Sequence, residues 1–177
     1  SPTGDALILP RVFSVADDRP AVSLDGLIDG LSSTGLDPAD EDNLEASAQL
    51  LRGLGHDRDF LGDIIVEELA ARHREEQDGN AYGAQSLMLL PPGKSNFFVR
   101  ANLWPSRDEY MMRASGGEVF VYDIPHDHNF HFLTLGYFGP GYWSDYYEFD
   151  YEDVVGWRGE PVDLRFVERS RLHEGKV

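Results

Sequence analysis

The chain changes pattern at Gln77-Asp78-Gly79-Asn80. Before that point apolar residues recur at helical intervals, and after it aromatic and β-branched residues come in short runs separated by Gly and Pro. Helices followed by a β region are therefore expected. Leu24, Leu27, Ile28 and Leu31 mark one face of a short helix over 23–32, with Ser23 as its N-cap. Asp37-Pro38 supplies a cap and a first-turn proline ahead of Leu44, Ala48, Leu51 and Leu54, and Gly53 and Gly55 end that pattern. Another helix is expected over 59–75, with Phe60, Leu61, Ile64, Ile65 and Leu69 inward and Asp63, Glu67, Glu68, Arg72 and Arg74 in water. The run Ala6-Leu7-Ile8-Leu9, closed by Pro10, reads as an edge strand or an ordered arm.

Strands are expected at 85–90, 96–104, 118–123, 129–138, 142–151 and 162–168, with turns at Pro91-Pro92-Gly93, Ser115-Gly116-Gly117, Gly139-Pro140-Gly141 and Gly159-Glu160-Pro161. Six strands at that spacing suggest a barrel or sandwich. The 177 residues suit one domain, divided into a helical region over 1–80 and a β region over 81–177. The formal charge of -17 argues against nucleic-acid or anionic-membrane partners, which attract cationic surfaces. No stretch approaches the roughly 20 apolar residues of a membrane span, and the start lacks the order of a signal peptide. A soluble, cytoplasmic protein is expected. Because the chain has no cysteine, only His, Asp and Glu remain as side-chain metal ligands. It starts at Ser1 without Met and stops at Glu174-Gly175-Lys176-Val177, which resembles the beginning of a strand, so a C-terminal truncation is expected.

The densest chemical signal is Pro125-His126-Asp127-His128-Asn129-Phe130-His131, with three of the six histidines. On an extended backbone His126 and His128 share a face, and neutral imidazoles suit Zn, Fe, Cu and Ni. Strict alternation sends Phe130, Phe132 and Thr134 the same way and His131 the other, unless a bulge at Asn129 re-aims it. Histidines on a wet turn are the plainer alternative. The stretch from Tyr142 to Tyr151 separates Tyr147, Phe149 and Tyr151 from Tyr146, Glu148 and Asp150. It reads either as a half-buried strand with an acidic edge or as the source of a carboxylate ligand, Glu148. Arg100 and Arg113 are surface ion-pair partners or, with Arg100 the better placed, a fork for a substrate carboxylate. Gly93-Lys94-Ser95 lacks the earlier glycine of a phosphate loop, and His73 and His56 have helical and turn settings that explain them.

His126, His128 and a later Gly136 or Gly139 resemble the first motif of the cupin superfamily of double-stranded β-helix proteins, although Phe132 and Leu133 stand where that family places a glutamate. The resemblance covers about residues 85–177. It implies an α+β, mainly β fold in which N-terminal helices pack on a cupin-like barrel. It also implies a metalloenzyme, foremost a non-haem Fe(II) oxygenase acting on a small molecule or a side chain, with no reading of a 2-oxoglutarate requirement. His126 and His128 would hold the metal, and the third ligand would be His173, His131, Glu148 or a histidine beyond Val177. Arg100, Tyr137, Tyr142, Trp143 and Tyr147 would shape the substrate pocket. The alternatives are a non-catalytic binding or regulatory module and a Zn-, Mn- or Ni-dependent isomerase, epimerase or hydrolase. A homodimer is the default expectation.

Overall fold

A computed structural model describes residues 10–66, 86–93, 95–115, 120–128 and 130–177. Helix α1 (Leu24–Thr34) starts where Ser23 accepts a hydrogen bond from the Gly26 N–H at 3.1 Å, and it ends at Gly35, φ +65°, whose N–H returns to the Leu31 carbonyl. Helix α2 (Glu41–Leu54) is capped by Asp40, which accepts from the N–H groups of Asp42 and Asn43. Asp37 does not take that role. Its carboxylate closes a turn by accepting from Ala39 N–H at 2.9 Å, so Pro38 lies ahead of the helix. Helix α3 is described over 60–66 and begins where Asp57 accepts from the Phe60 N–H at 3.2 Å. Phe60, Leu61, Ile64 and Ile65 are partly buried, whereas Gly62, Asp63 and Val66 are exposed. The continuation to residue 75 and the arm at Ala6 to Leu9 lie outside the described residues.

Leu27, Leu31, Leu54 and Phe97 form the buried core, with Val22, Leu50, Leu51, Phe60, Leu90 and Val99 packed around it. The helices thus share one apolar interior with a small antiparallel sheet of β1 (Ser86–Leu90) and β2 (Val99–Asn102), whose register slips between Met88 and Leu90. After a short helix, α4 (Tyr110–Ser115), the chain reaches a second antiparallel pair, β3 (Tyr142–Glu148) and β4 (Arg165–Leu172).

These elements correct the cupin-like barrel. Each sheet has two strands, and neither closes. A closed barrel needs every strand bonded on both edges. Among the described residues the architecture is α+β, with helices and two small sheets, and is not mainly β. Two expected strands account for the difference. Within 118–123 the described residues turn, with Val121 and Asp123 at φ +58° and +60°, a left-handed conformation incompatible with a ladder. The 129–138 stretch is aromatic enough to read as a strand, but its described residues carry no strand pairing. Strand preference reflects fit to a half-buried pleated surface, and here Phe130, Phe132 and Phe138 face water.

That unpaired stretch is anchored at Gly136. Its N–H donates to the Lys176 carbonyl at 2.9 Å, its carbonyl accepts from Gly175 at 2.7 Å, and Phe13 N–H meets the Val177 carbonyl at 2.9 Å. The C-terminus is thereby clasped between the early chain and the segment leading into β3.

The β3–β4 ribbon is laced by cross-strand pairs on one face. Trp143 lies opposite Arg171, whose guanidinium is 5.8 Å from the indole. Asp145 meets Arg169 through two hydrogen bonds of 2.5 and 2.7 Å, and Tyr147 packs edge-on against Phe166 at 5.7 Å. In the connecting loop the Glu160 carboxylate accepts from three successive N–H groups, those of Val155, Gly156 and Trp157, at 3.0, 2.7 and 3.3 Å. Those bonds hold its pKa below the usual carboxylate value, chiefly through Val155 and Gly156. A lowered folded-state pKa contributes stability above the unfolded value, about 4.3, and the contribution is lost as pH falls through the folded pKa. Acidification is therefore expected to release this loop at a pH below ordinary glutamate titration. Trp157 fluorescence should report that step in the native protein, and Glu160→Gln should abolish its pH dependence.

Candidate functional site

The site is assembled by residues 124–128 and 130–132 and by β2 with the residues just before it. The imidazoles of His126 and His128 are 5.0 Å apart, centroid to centroid. His128 also packs against Phe130 at 5.2 Å and Phe132 at 5.1 Å, and Phe130 reaches Phe98 at 6.3 Å. Arg100 lies over Phe98 at 6.0 Å. His126, His128, Phe130 and Phe132 stand at every second position, and their rings meet in series.

His126 Nδ1 lies 3.0 Å from the Ile124 carbonyl. A carbonyl only accepts, so Nδ1 carries the proton and Nε2 presents its lone pair, the arrangement common for metal-binding histidines. Two imidazoles bound to one ion at about 2.0–2.1 Å and near 100° have centroids roughly 5 Å apart, so the observed spacing fits a shared ion. The His128 pKa is lowered, first by burial and then by its neighbours His126 and Arg100, with Asp127 acting the other way. The neutral form, the one that ligates, is favoured.

The other candidates lie elsewhere. His131 is exposed, and His173 Nδ1 sits 2.9 Å from the Glu174 carbonyl beside a recess of about 570 Å³ that includes Val12, Phe13 and Lys176. Glu148 pairs with Arg165 at 3.2 Å across the ribbon. Tyr137 donates to the Asp57 carbonyl at 2.8 Å and packs edge-on against Phe60 at 4.9 Å, which ties the 130–137 segment to α3. Trp143 and Tyr147 lie on the outer ribbon face. Tyr142 stacks on Trp104 at 4.6 Å, and its phenol pKa is raised chiefly by burial and partly offset by Arg100. Arg100 thus acts electrostatically on both His128 and Tyr142. Arg113 lies exposed on α4.

Among the described residues no group of three or more His, Asp or Glu is placed to hold a metal. No helix among them is long and apolar enough to cross a membrane. A second recess, about 480 Å³, is lined by Asp17, Arg52, His56, Arg58 and Glu174, where Arg52 pairs with Asp17 and Arg58 with Glu174. Sequence reading overlooked Phe98. The signal was the pair Phe97-Phe98 entering β2, since adjacent residues on an extended chain face opposite ways. Phe97 is buried in the core and Phe98 joins the histidines.

Comparison of the chain with protein-family models, curated proteins and solved structures finds no match. The cupin resemblance therefore has neither a family match nor the barrel behind it. What the fold defines is an α+β protein with an exposed histidine, phenylalanine and arginine surface.

Proposed function

We propose that the protein is a metal-dependent binding or regulatory module of the cytoplasm that holds one divalent transition ion through Nε2 of His126 and His128. The carrying observation is the 5.0 Å imidazole pair, with the His126 Nδ1 already engaged by a backbone carbonyl. Imidazole donors suit Zn(II), Fe(II) and Ni(II), with Mn(II) a weaker fit. Two protein ligands leave several coordination positions to an outside donor. Arg100, with the phenylalanine floor of Phe98, Phe130 and Phe132, suits a small molecule or peptide bearing a carboxylate beside an apolar group.

A second reading keeps these residues in a non-haem Fe(II) oxygenase. The observation favouring it is Arg100, close enough to lower the His128 pKa and so able to orient an anionic substrate at the ion. Bound iron would supply dioxygen activation. A Zn, Mn or Ni isomerase, epimerase or hydrolase would use the same surface.

Calorimetric titration with Zn(II), Ni(II), Mn(II) and Fe(II) tests the site. One ion per chain is expected, and His126→Ala/His128→Ala should weaken binding by an order of magnitude or more, whereas His131→Ala should leave it unchanged. Equal affinity in the double variant would sink the site. Oxygen uptake by the Fe(II) form, abolished in His128→Ala, would favour the oxygenase over the binding module.

A further inference from the structure

The outer face of the β3–β4 ribbon carries aromatic surface that the helices leave uncovered. Trp143, Tyr147 and Phe166 are 61%, 46% and 60% exposed, and the connecting loop adds Tyr151, Val155 and Trp157 at 81%, 83% and 60%. At about 150–250 Å² per aromatic side chain, the five aromatic residues among these six present roughly 450–750 Å² to water, to which Val155 adds. Monomers rarely leave patches of more than a few hundred Å² uncovered, and about 800 Å² is what one partner brings to a stable interface. A two-stranded ribbon is also marginal on its own in water.

Edge-to-edge pairing of β4 with its own copy is disfavoured. An antiparallel two-fold pairs residues of the same face, so the central registers set Arg169 against Arg165, Arg169 or Arg171, or Glu168 against Glu168. Face-to-face stacking meets no such conflict. We propose that a second copy of this chain covers the face, the two ribbons stacking antiparallel about a two-fold axis near the Tyr147–Phe166 pair.

The charges along the ribbon are self-complementary in that arrangement, as an isologous contact requires. On one side of the axis, four residues or about 13 Å along the strand, lies Trp143, with Arg171 opposite it. On the other side the loop carries Glu152 and Asp153, both exposed and without an ion pair among the described residues. Antiparallel stacking sets each Arg171 against the other copy's Glu152 and Asp153, and each Trp143 against the other loop's Tyr151 and Trp157. Near the axis Asp145 and Arg169 neutralise each other within each copy, so no unpaired charge is buried. The loop enters preorganised by the three bonds to Glu160, which lowers the ordering cost of association.

The chain's lack of cysteine gives a clean test. Tyr147→Cys, close to the axis, should form a disulfide-linked dimer under mild oxidation, with a yield an order of magnitude above Asp29→Cys on the exposed side of α1. Sedimentation of the unmodified full chain at micromolar concentration should give a dimer, and Tyr147→Lys/Phe166→Lys should give a monomer with unchanged helical circular dichroism. A monomeric wild type, a dimer that survives the lysine pair, or equal cross-linking of the two cysteine variants would each overturn the proposal. If the lysine pair fails to fold, the cross-linking comparison decides alone. Neither histidine is involved, so the metal titration and this test fail independently.

Discussion

Gly141→Ala is expected to destabilise the protein by about 3 kcal/mol, through two separable costs. Gly141 sits at φ +79°, and a Cβ built there would lie 2.0 Å from the Leu172 carbonyl oxygen. The left-handed conformation alone costs an alanine about 1–2 kcal/mol. The clash costs more, because the obstructing atom is backbone. It belongs to the last residue of β4, bonded opposite Tyr142 in the first rung of the ribbon. Relief would have to move the strand. Gly139→Ala is the control: φ is +87° and nothing lies within 4 Å of its Cβ position, so only the conformational cost applies. Gly136→Ala supplies the converse, since its Cβ would come 1.9 Å from the His173 carbonyl oxygen without a positive φ. Urea denaturation should therefore rank Gly139→Ala mildest and Gly141→Ala most severe, and equal losses at positions 139 and 141 would show that the close approach is absent.

Those glycines also show where sequence reading stopped. Gly136 and Gly139 look like the later glycine of a motif, yet Gly136 is required because two stretches of backbone nearly touch, a fact set by residues 172–175 some forty positions away. Local features were legible. Ser23 caps α1, and the stripe Phe60, Leu61, Ile64 and Ile65 is the partly buried side of α3. The start of α2 was misread because Asp37 and Asp40 are chemically equivalent caps and only the turn closed by Ala39 N–H decides between them. The barrel was misread for a deeper reason. Aromatic and β-branched runs record that a segment tolerates extended backbone, not which segment it bonds to. Among the described residues, 130–137 carries no strand pairing. For the candidate site the outcome is mixed in the same way. Alternation depends only on local geometry and places His126, His128, Phe130 and Phe132 together. The link to Arg100 and Phe98 crosses some thirty residues and needs the fold, and Glu148 is taken by Arg165, its cross-strand neighbour.

Phe120→Ala is expected to cost about 3–5 kcal/mol, the range for a fully buried aromatic side chain whose site collapses only in part. Phe120 is 0% exposed. Its ring meets Tyr122 at 6.3 Å, Tyr122 meets Trp104 at 5.7 Å, and Trp104 meets Tyr142, the first residue of β3, at 4.6 Å. The Tyr122 hydroxyl fixes this row by donating to the Pro105 carbonyl at 2.8 Å. Removing Phe120 therefore leaves a cavity at one end of the row that anchors the ribbon to the chain after β2. For a chain of this length the loss corresponds to a melting temperature lower by about 10 °C. Tyr142 separates local loosening from a uniform loss of stability. Burial raises its phenol pKa, and a Tyr142 freed by collapse of the row would titrate closer to the ordinary value of about 10. In the folded variant the absorbance change of tyrosinate formation should accordingly move to lower pH, while Tyr110→Ala, at an exposed side chain on α4, should shift stability by no more than about 0.5 kcal/mol and leave that titration in place. A Phe120→Ala protein with wild-type melting temperature would mean that the aromatic row does not bear the ribbon.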